Sequence, residues 1–190
     1  MPTSAVRLPD LTRRTFARTN VQTITQRVAL LRELTPGVRS VAEICCGDCS
    51  RQYQAYTHDL GVAVFHGLDL EPAIVAANRA QGIDSVWGDA LAPETLRRFV
   101  SDEVIFFGPP LSEDCDGHRL LSFTEVRPSY ADFARLLLGE LRYAGTLVCV
   151  CPNTTTMGDI THLHHAIRDT RPDINLRLIH HSFSTLTGGD

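Results

Sequence analysis

No stretch of this chain approaches the roughly 18 consecutive apolar residues that a membrane helix requires, and the opening MPTSAVRLPDLTRR lacks the apolar centre of a secretory signal. The chain is therefore expected to be cytoplasmic, with no membrane partner. It also lacks a disulfide framework. Of its six cysteines, Cys45 and Cys46 are adjacent and Cys149 and Cys151 alternate in VCVC, unlike the spaced cysteines of a small secreted domain. Reduced thiols are expected. There is no excess of basic charge: 18 basic against 22 acidic residues leave a net charge of −4. Nothing in that balance indicates a nucleic-acid partner, and a local basic patch remains compatible with it. The G-x-G-x-x-G fingerprint of dinucleotide sites is missing too, which argues against a dehydrogenase.

What is present fits one domain. A chain of 190 residues with 43% hydrophobic and 21% charged residues can bury a sizeable core. An N-terminal helical segment over 1–38 precedes the main body, 39–190. Within it, Val21, Ile24, Val28, Leu31 and Leu34 recur at spacings of three and four, which predicts an amphipathic helix over Leu11 to Leu34, ended by Pro36-Gly37. Ser50 is read as the capping residue of a second helix with Tyr53, Tyr56 and Leu60 on one face. Pro72 opens a third helix, reaching Ala80, and Pro93 a fourth with Leu96, Phe99 and Val100 buried. Ser129 and Asp132 cap a fifth, and a sixth is expected from Asp159 to Thr170. Strand and helix thus alternate five times. That predicts an α/β fold, three layers and doubly wound, with a mostly parallel sheet and helices on both faces. A further strand is expected over Ile174 to Phe183. The long connection from Glu113 to Pro128 is the expected substrate loop.

The chemistry concentrates at VAEICCGDCS, Val41 to Ser50. An apolar run carrying Glu43 ends in a turn of small residues around Gly47, where a backbone can approach a ligand closely and φ > 0 is accessible. The next apolar run delivers Asp69 about 20 residues on, the spacing at which an acid reaches a ribose hydroxyl in Rossmann-like sites. Asp89 follows about another 20 residues downstream. Taken singly, each has a plainer reading: an ordinary strand-to-helix turn, a helix cap before Pro72, a solvated turn residue.

Taken in order, these residues resemble the class I S-adenosylmethionine-dependent methyltransferases, over about Val41 to Val150. The resemblance implies an E/D-x-G-x-G-x-G turn made here by Glu43, Cys45, Gly47 and Cys49. It implies Asp69 on the ribose hydroxyls and Asp89 on the adenine amino group, with Leu70, Ala90 and Gly108 completing the cofactor set and Leu70 or Trp87 packing on the adenine face. Glu43 is expected to anchor the cofactor's amino group or the first loop. The segment EVIFFGPPLS, Glu103 to Ser112, resembles the family's fourth motif, with Pro109 offering a carbonyl and Ser112 and His118 a hydroxyl and a general base. Two departures stand out. Cys45 and Cys49 replace glycines, and Gly108-Pro109-Pro110-Leu111 lacks both the polar acceptor and the aromatic of the amino-methylating members. The family closes with an antiparallel hairpin, of which one strand is legible here. The last antiparallel strand is therefore expected to be missing, or the chain to be cut short there.

The expected activity is methyl transfer from S-adenosylmethionine to an acceptor that the sequence leaves open: a small molecule, a protein side chain or a nucleic-acid base. The oligomeric state is equally open. Two alternatives carry different predictions. One is a catalytically inactive cofactor-binding module. The other is a Cys/His metal protein, drawing on Cys45, Cys46 and Cys49 or on His162, His165 and Asp169 at helical spacing. No second cysteine pair of knuckle spacing is present, so no metal ligand is assigned.

Overall fold

Strand β4, Val104–Phe107, shows why the chain makes layers. All four residues are buried: Val104 and Phe106 join one core, Ile105 and Phe107 another. A strand buried on both faces reads as a continuous apolar run, the mark of a parallel sheet covered on each side. The computed structural model describes residues 21–111, 121–152 and 154–174. Around β4 it places β1 (Ser40–Ile44), β2 (Val64–Asp69), β3 (Asp84–Trp87) and β5 (Thr146–Cys149) in one all-parallel sheet of order β3-β2-β1-β4-β5. No antiparallel strand occurs among the described residues.

Right-handed crossovers dictate the rest. Helices α1 (Val21–Leu34), α2 (Ser50–Asp59) and α3 (Pro72–Ala80) cover one face, where Val28, Leu31 and Tyr56 meet Val41, Phe65 and Phe106. On the other face lie α4 (Pro93–Leu96), α5 (Tyr130–Ala134), which runs into a π-helical turn over Arg135–Glu140, and α6 (Met157–Thr170). There Leu96, Phe99, Phe133, Leu137 and Ile167 enclose Ile44, Leu68 and Phe107. Phe107 and Phe133 stack with ring centroids 3.9 Å apart.

Several local readings change. Ser50 is the first helical residue, not the cap; Cys49 holds the cap position with no side-chain capping bond, and Asp48 before it accepts from the Ser50 amide at 3.1 Å and its hydroxyl at 2.6 Å. The Thr156 hydroxyl and the Asp159 carboxylate form a reciprocal capping box, so α6 starts at Met157, before Asp159. The expected substrate loop contributes core: Phe123 stacks on Tyr130 at 4.6 Å and Val126 is fully buried. The expected strand over Ile174 to Phe183 lies almost wholly outside the described residues, as does the helix expected before Val21. Among the described residues no helix is long and apolar enough to cross a membrane.

On β2, His66 sits with Nδ1 3.0 Å from one oxygen of the buried Asp102 carboxylate and Nε2 3.7 Å from Asp84. The Asp102 hydrogen bond raises the imidazole above its ordinary value of 6.5; burial and Arg98 oppose it, and Asp84 adds to it. A raised histidine favours the folded state while protonated. Its contribution is therefore complete below pH 6.5 and is lost as pH rises through the raised value. The Tm difference between the natural protein and His66→Asn should accordingly be larger at pH 5.5 than at pH 9. An equal difference at both would show that the pair adds nothing through its charge.

Candidate functional site

The sheet order reverses between β1 and β4, and ligands of open α/β sheets bind beyond the carboxyl ends of the strands at such a switch point. Ile44 pairs with Leu68 on one side and Phe107 on the other, so the turn after β1 emerges between Asp69 and Gly108. The Cys46 amide extends the ladder to the Leu68 carbonyl at 3.0 Å, and the Gly108 amide reaches the Ile44 carbonyl at 3.0 Å.

Within the turn, Cys45 and Gly47 both adopt left-handed backbone, at φ of 59° and 55°. Glycine takes this conformation freely, whereas a Cβ costs about 1–2 kcal/mol. Cys45 thus stands in strain where the resembled family carries glycine. Cys45→Gly and Cys45→Ala both remove the thiol, but only alanine keeps the Cβ. The glycine variant should therefore be the more stable of the two by about 1 kcal/mol in thermal unfolding. Equal stabilities would mean that the turn relaxes around the substitution.

Asp69 ties the turn to α3. Its Oδ2 accepts from the Gly47 amide at 2.9 Å and its Oδ1 from the Glu71 amide at 3.0 Å. Burial raises its carboxyl above the ordinary range, against the lowering effect of those amides. The Cys45 thiol is pushed up by burial and then by the Asp69 and Asp89 charges. Asp89 is exposed and accepts from the Leu91 amide at 2.8 Å; Ala90 is buried. Beside them Leu70 and Trp87 are 67% and 62% exposed, with the indole N–H held on the Leu70 carbonyl at 2.9 Å. Large apolar side chains so exposed at a strand-end crevice offer a face for a flat ligand.

Two expected cofactor residues turn away from this crevice. Glu43 is 3% exposed, and its carboxylate accepts from Arg27 Nη1 at 2.9 and 3.2 Å and from the Tyr56 hydroxyl at 3.1 Å. It locks α1 and α2 to the sheet; contact with a ligand amino group is not what these partners serve. Cys49 is fully buried in the core beside Cys46. In the fourth motif, Pro109 is buried and Gly108 half-buried. Among the described residues, a Cβ built on Gly108 would meet nothing nearer than Val150 at 3.9 Å. Ser112 and His118 lie outside the described residues.

Sequence reasoning missed Asn78. It is completely buried on α3, and its Nδ2 donates to the Gly47 carbonyl at 2.9 Å and to Cys46 Sγ at 3.5 Å. A polar residue three positions after Val75, on the buried stripe of α3, was the available signal.

Among the described residues no three His, Cys, Asp or Glu side chains gather in a metal-binding arrangement. Cys46, in contact with Cys49 and buried, and Cys149, half-buried, are both pushed up, and burial raises Cys151 to about 11. His162, His165 and Asp169 lie exposed on α6.

No protein-family model matches the chain, and no curated protein matches it in sequence. Solved structures do resemble it. The sugar N-methyltransferase KedS8 from a Streptoalloteichus species is 16% identical, with 80% of this chain matched to 60% of that one at a TM-score of 0.46. CalS10, an amino pentose methyltransferase from Micromonospora echinaspora solved with S-adenosylmethionine, is 18% identical over 72% of this chain and 52% of its own, at 0.47. DesVI from Streptomyces venezuelae is 15% identical over 68% and 49%, also at 0.47. This chain thus spans about half to three fifths of the length of those proteins.

Proposed function

We propose that this chain binds S-adenosylmethionine and transfers its methyl group to an acceptor, a small molecule being the first choice ahead of a protein side chain or a nucleic-acid base. The observation that carries this reading is the tie between the Gly47 amide and the Asp69 carboxylate at the switch point. The residues fit the cofactor. The Gly47 turn admits close backbone approach, Asp69 keeps lone pairs for ribose hydroxyls, Asp89 is exposed toward an amino group, and Leu70 and Trp87 offer an apolar face.

When bound, the sulfonium supplies an electrophilic methyl with a neutral thioether as leaving group. Little acid–base help is then needed, and the chain's task is to hold the acceptor in line. In this reading the carbonyls around Gly108 and Pro109 orient the acceptor, and Ser112 and His118 supply any proton transfer. A second reading, a cofactor-binding module without turnover, is favoured by one feature: Gly108 has no side chain to accept from an acceptor amine.

The test is calorimetric titration with S-adenosylmethionine and S-adenosylhomocysteine, paired with emission from the chain's one tryptophan, Trp87. The reading predicts micromolar binding and a change in emission. Absence of both in the folded protein would end the cofactor assignment. Binding with no turnover across the three acceptor classes would favour the module.

A further inference from the structure

We infer that Asn78 is a positioning residue for the cofactor: by holding the Gly47 carbonyl it sets the turn against which Asp69 presents its carboxylate. The inference rests on the cofactor reading above and adds to it a residue outside the strand-end motifs.

A fully buried amide on the sheet-facing stripe of a helix is unfavourable unless its hydrogen bonds are made. Asn78 Nδ2 makes two, both to the turn: 2.9 Å to the Gly47 carbonyl and 3.5 Å to Cys46 Sγ. The orientation of the amide is decided by chemistry, since a carbonyl oxygen can only accept. Among the described residues its Oδ1 meets no donor. The partners that the side chain makes are thus those of Nδ2. The Gly47 residue is gripped on both sides, its carbonyl by α3 through Asn78 and its amide by β2 through Asp69. Asp69 itself returns to α3 by accepting from the Glu71 amide. Gly47, Asp69, Glu71 and Asn78 thus close a ring that couples the turn to the first and second turns of α3. That clamp matters here because Cys45 is held in left-handed backbone, from which an untied turn would relax. Release of the Gly47 carbonyl would let the Gly47 amide leave Asp69 and misplace the carboxylate that a ribose must meet.

Three variants test this: Asn78→Ala; Asn78→Asp, which keeps the size and loses the donor; and Val75→Ala, a cavity on the same helix that leaves the turn bonds intact. Two readouts are taken well below each Tm: the Kd for S-adenosylhomocysteine, and the exchange rate of the Gly47 amide by NMR without ligand. Both Asn78 variants should bind at least about tenfold more weakly and exchange Gly47 at least about tenfold faster, the scale of one lost hydrogen bond. Val75→Ala should lower Tm and leave Kd and Gly47 exchange within about twofold. A merely structural asparagine would behave like Val75, and unchanged Kd and exchange in Asn78→Asp, or equal shifts in Val75→Ala, overturn the inference. If the natural protein binds no S-adenosylhomocysteine, the cofactor reading falls and the ligand-free Gly47 exchange decides the clamp alone.

Discussion

Asp69→Ala is expected to lower affinity for S-adenosylhomocysteine by at least about 100-fold. Each hydrogen bond to a charged group contributes about 1.5–3 kcal/mol. In the proposed complex two ribose hydroxyls on one carboxylate would account for about 3 kcal/mol or more, and 1.4 kcal/mol is a tenfold change in Kd. A second effect acts in the same direction. Alanine also frees the Gly47 and Glu71 amides, both of which Asp69 now accepts, so the turn loses its tie to α3. Asp69→Asn separates the two. Its single amide oxygen can serve one backbone amide, and its NH2 group faces the other, so binding should weaken further than loss of charge alone explains. Calorimetry gives the affinities, and circular dichroism shows whether each variant remains folded. A folded Asp69→Ala protein that binds within about fivefold of the natural one would remove Asp69 from the cofactor site.

Arg27→Met should be the most destabilising single change on the other face of β1, by about 3–5 kcal/mol. Arg27 is 5% exposed, bonds both Glu43 oxygens and lies 5.1 Å over the Phe106 ring. Methionine restores most of the volume and, among the described residues, leaves Glu43 as a buried carboxylate accepting from the Tyr56 hydroxyl. The penalty is that of an uncompensated charge, so Arg27→Met combined with Glu43→Gln should recover much of it. Urea unfolding measures both, with m unchanged if the unfolded state is unaffected. A loss below about 1 kcal/mol in the single variant would show that water or a proton reaches Glu43 without cost. The pair also shows what Glu43, expected to anchor the cofactor's amino group or the first loop, does in the fold: its carboxylate holds α1 and α2 in place.

The architecture was legible because its signals are local. Apolar runs of strand length separated by amphipathic segments opened by Pro72 and Pro93 require a parallel sheet with helices on both faces. The strand-end positions of Gly47, Asp69 and Asp89 follow from counting residues along that alternation. Less legible were features whose partners are distant in sequence. The Glu113 to Pro128 connection looks like a surface loop, yet Phe123 and Val126 are core because Tyr130 and its neighbours offer a surface to fill. Cys149 and Cys151, half-buried, both pack on that same core.

By itself, the sequence determined the order of elements, the mostly parallel character of the sheet and the position of the small-residue turn after β1, because periodicity and glycine placement act over a few residues. Tertiary structure decided which polar groups that turn uses. Glu43 goes to Arg27, 16 positions away, and the Gly47 carbonyl goes to Asn78, 31 positions away. A buried polar group takes whichever partner the packed layers bring within about 3 Å, and only the fold sets that distance.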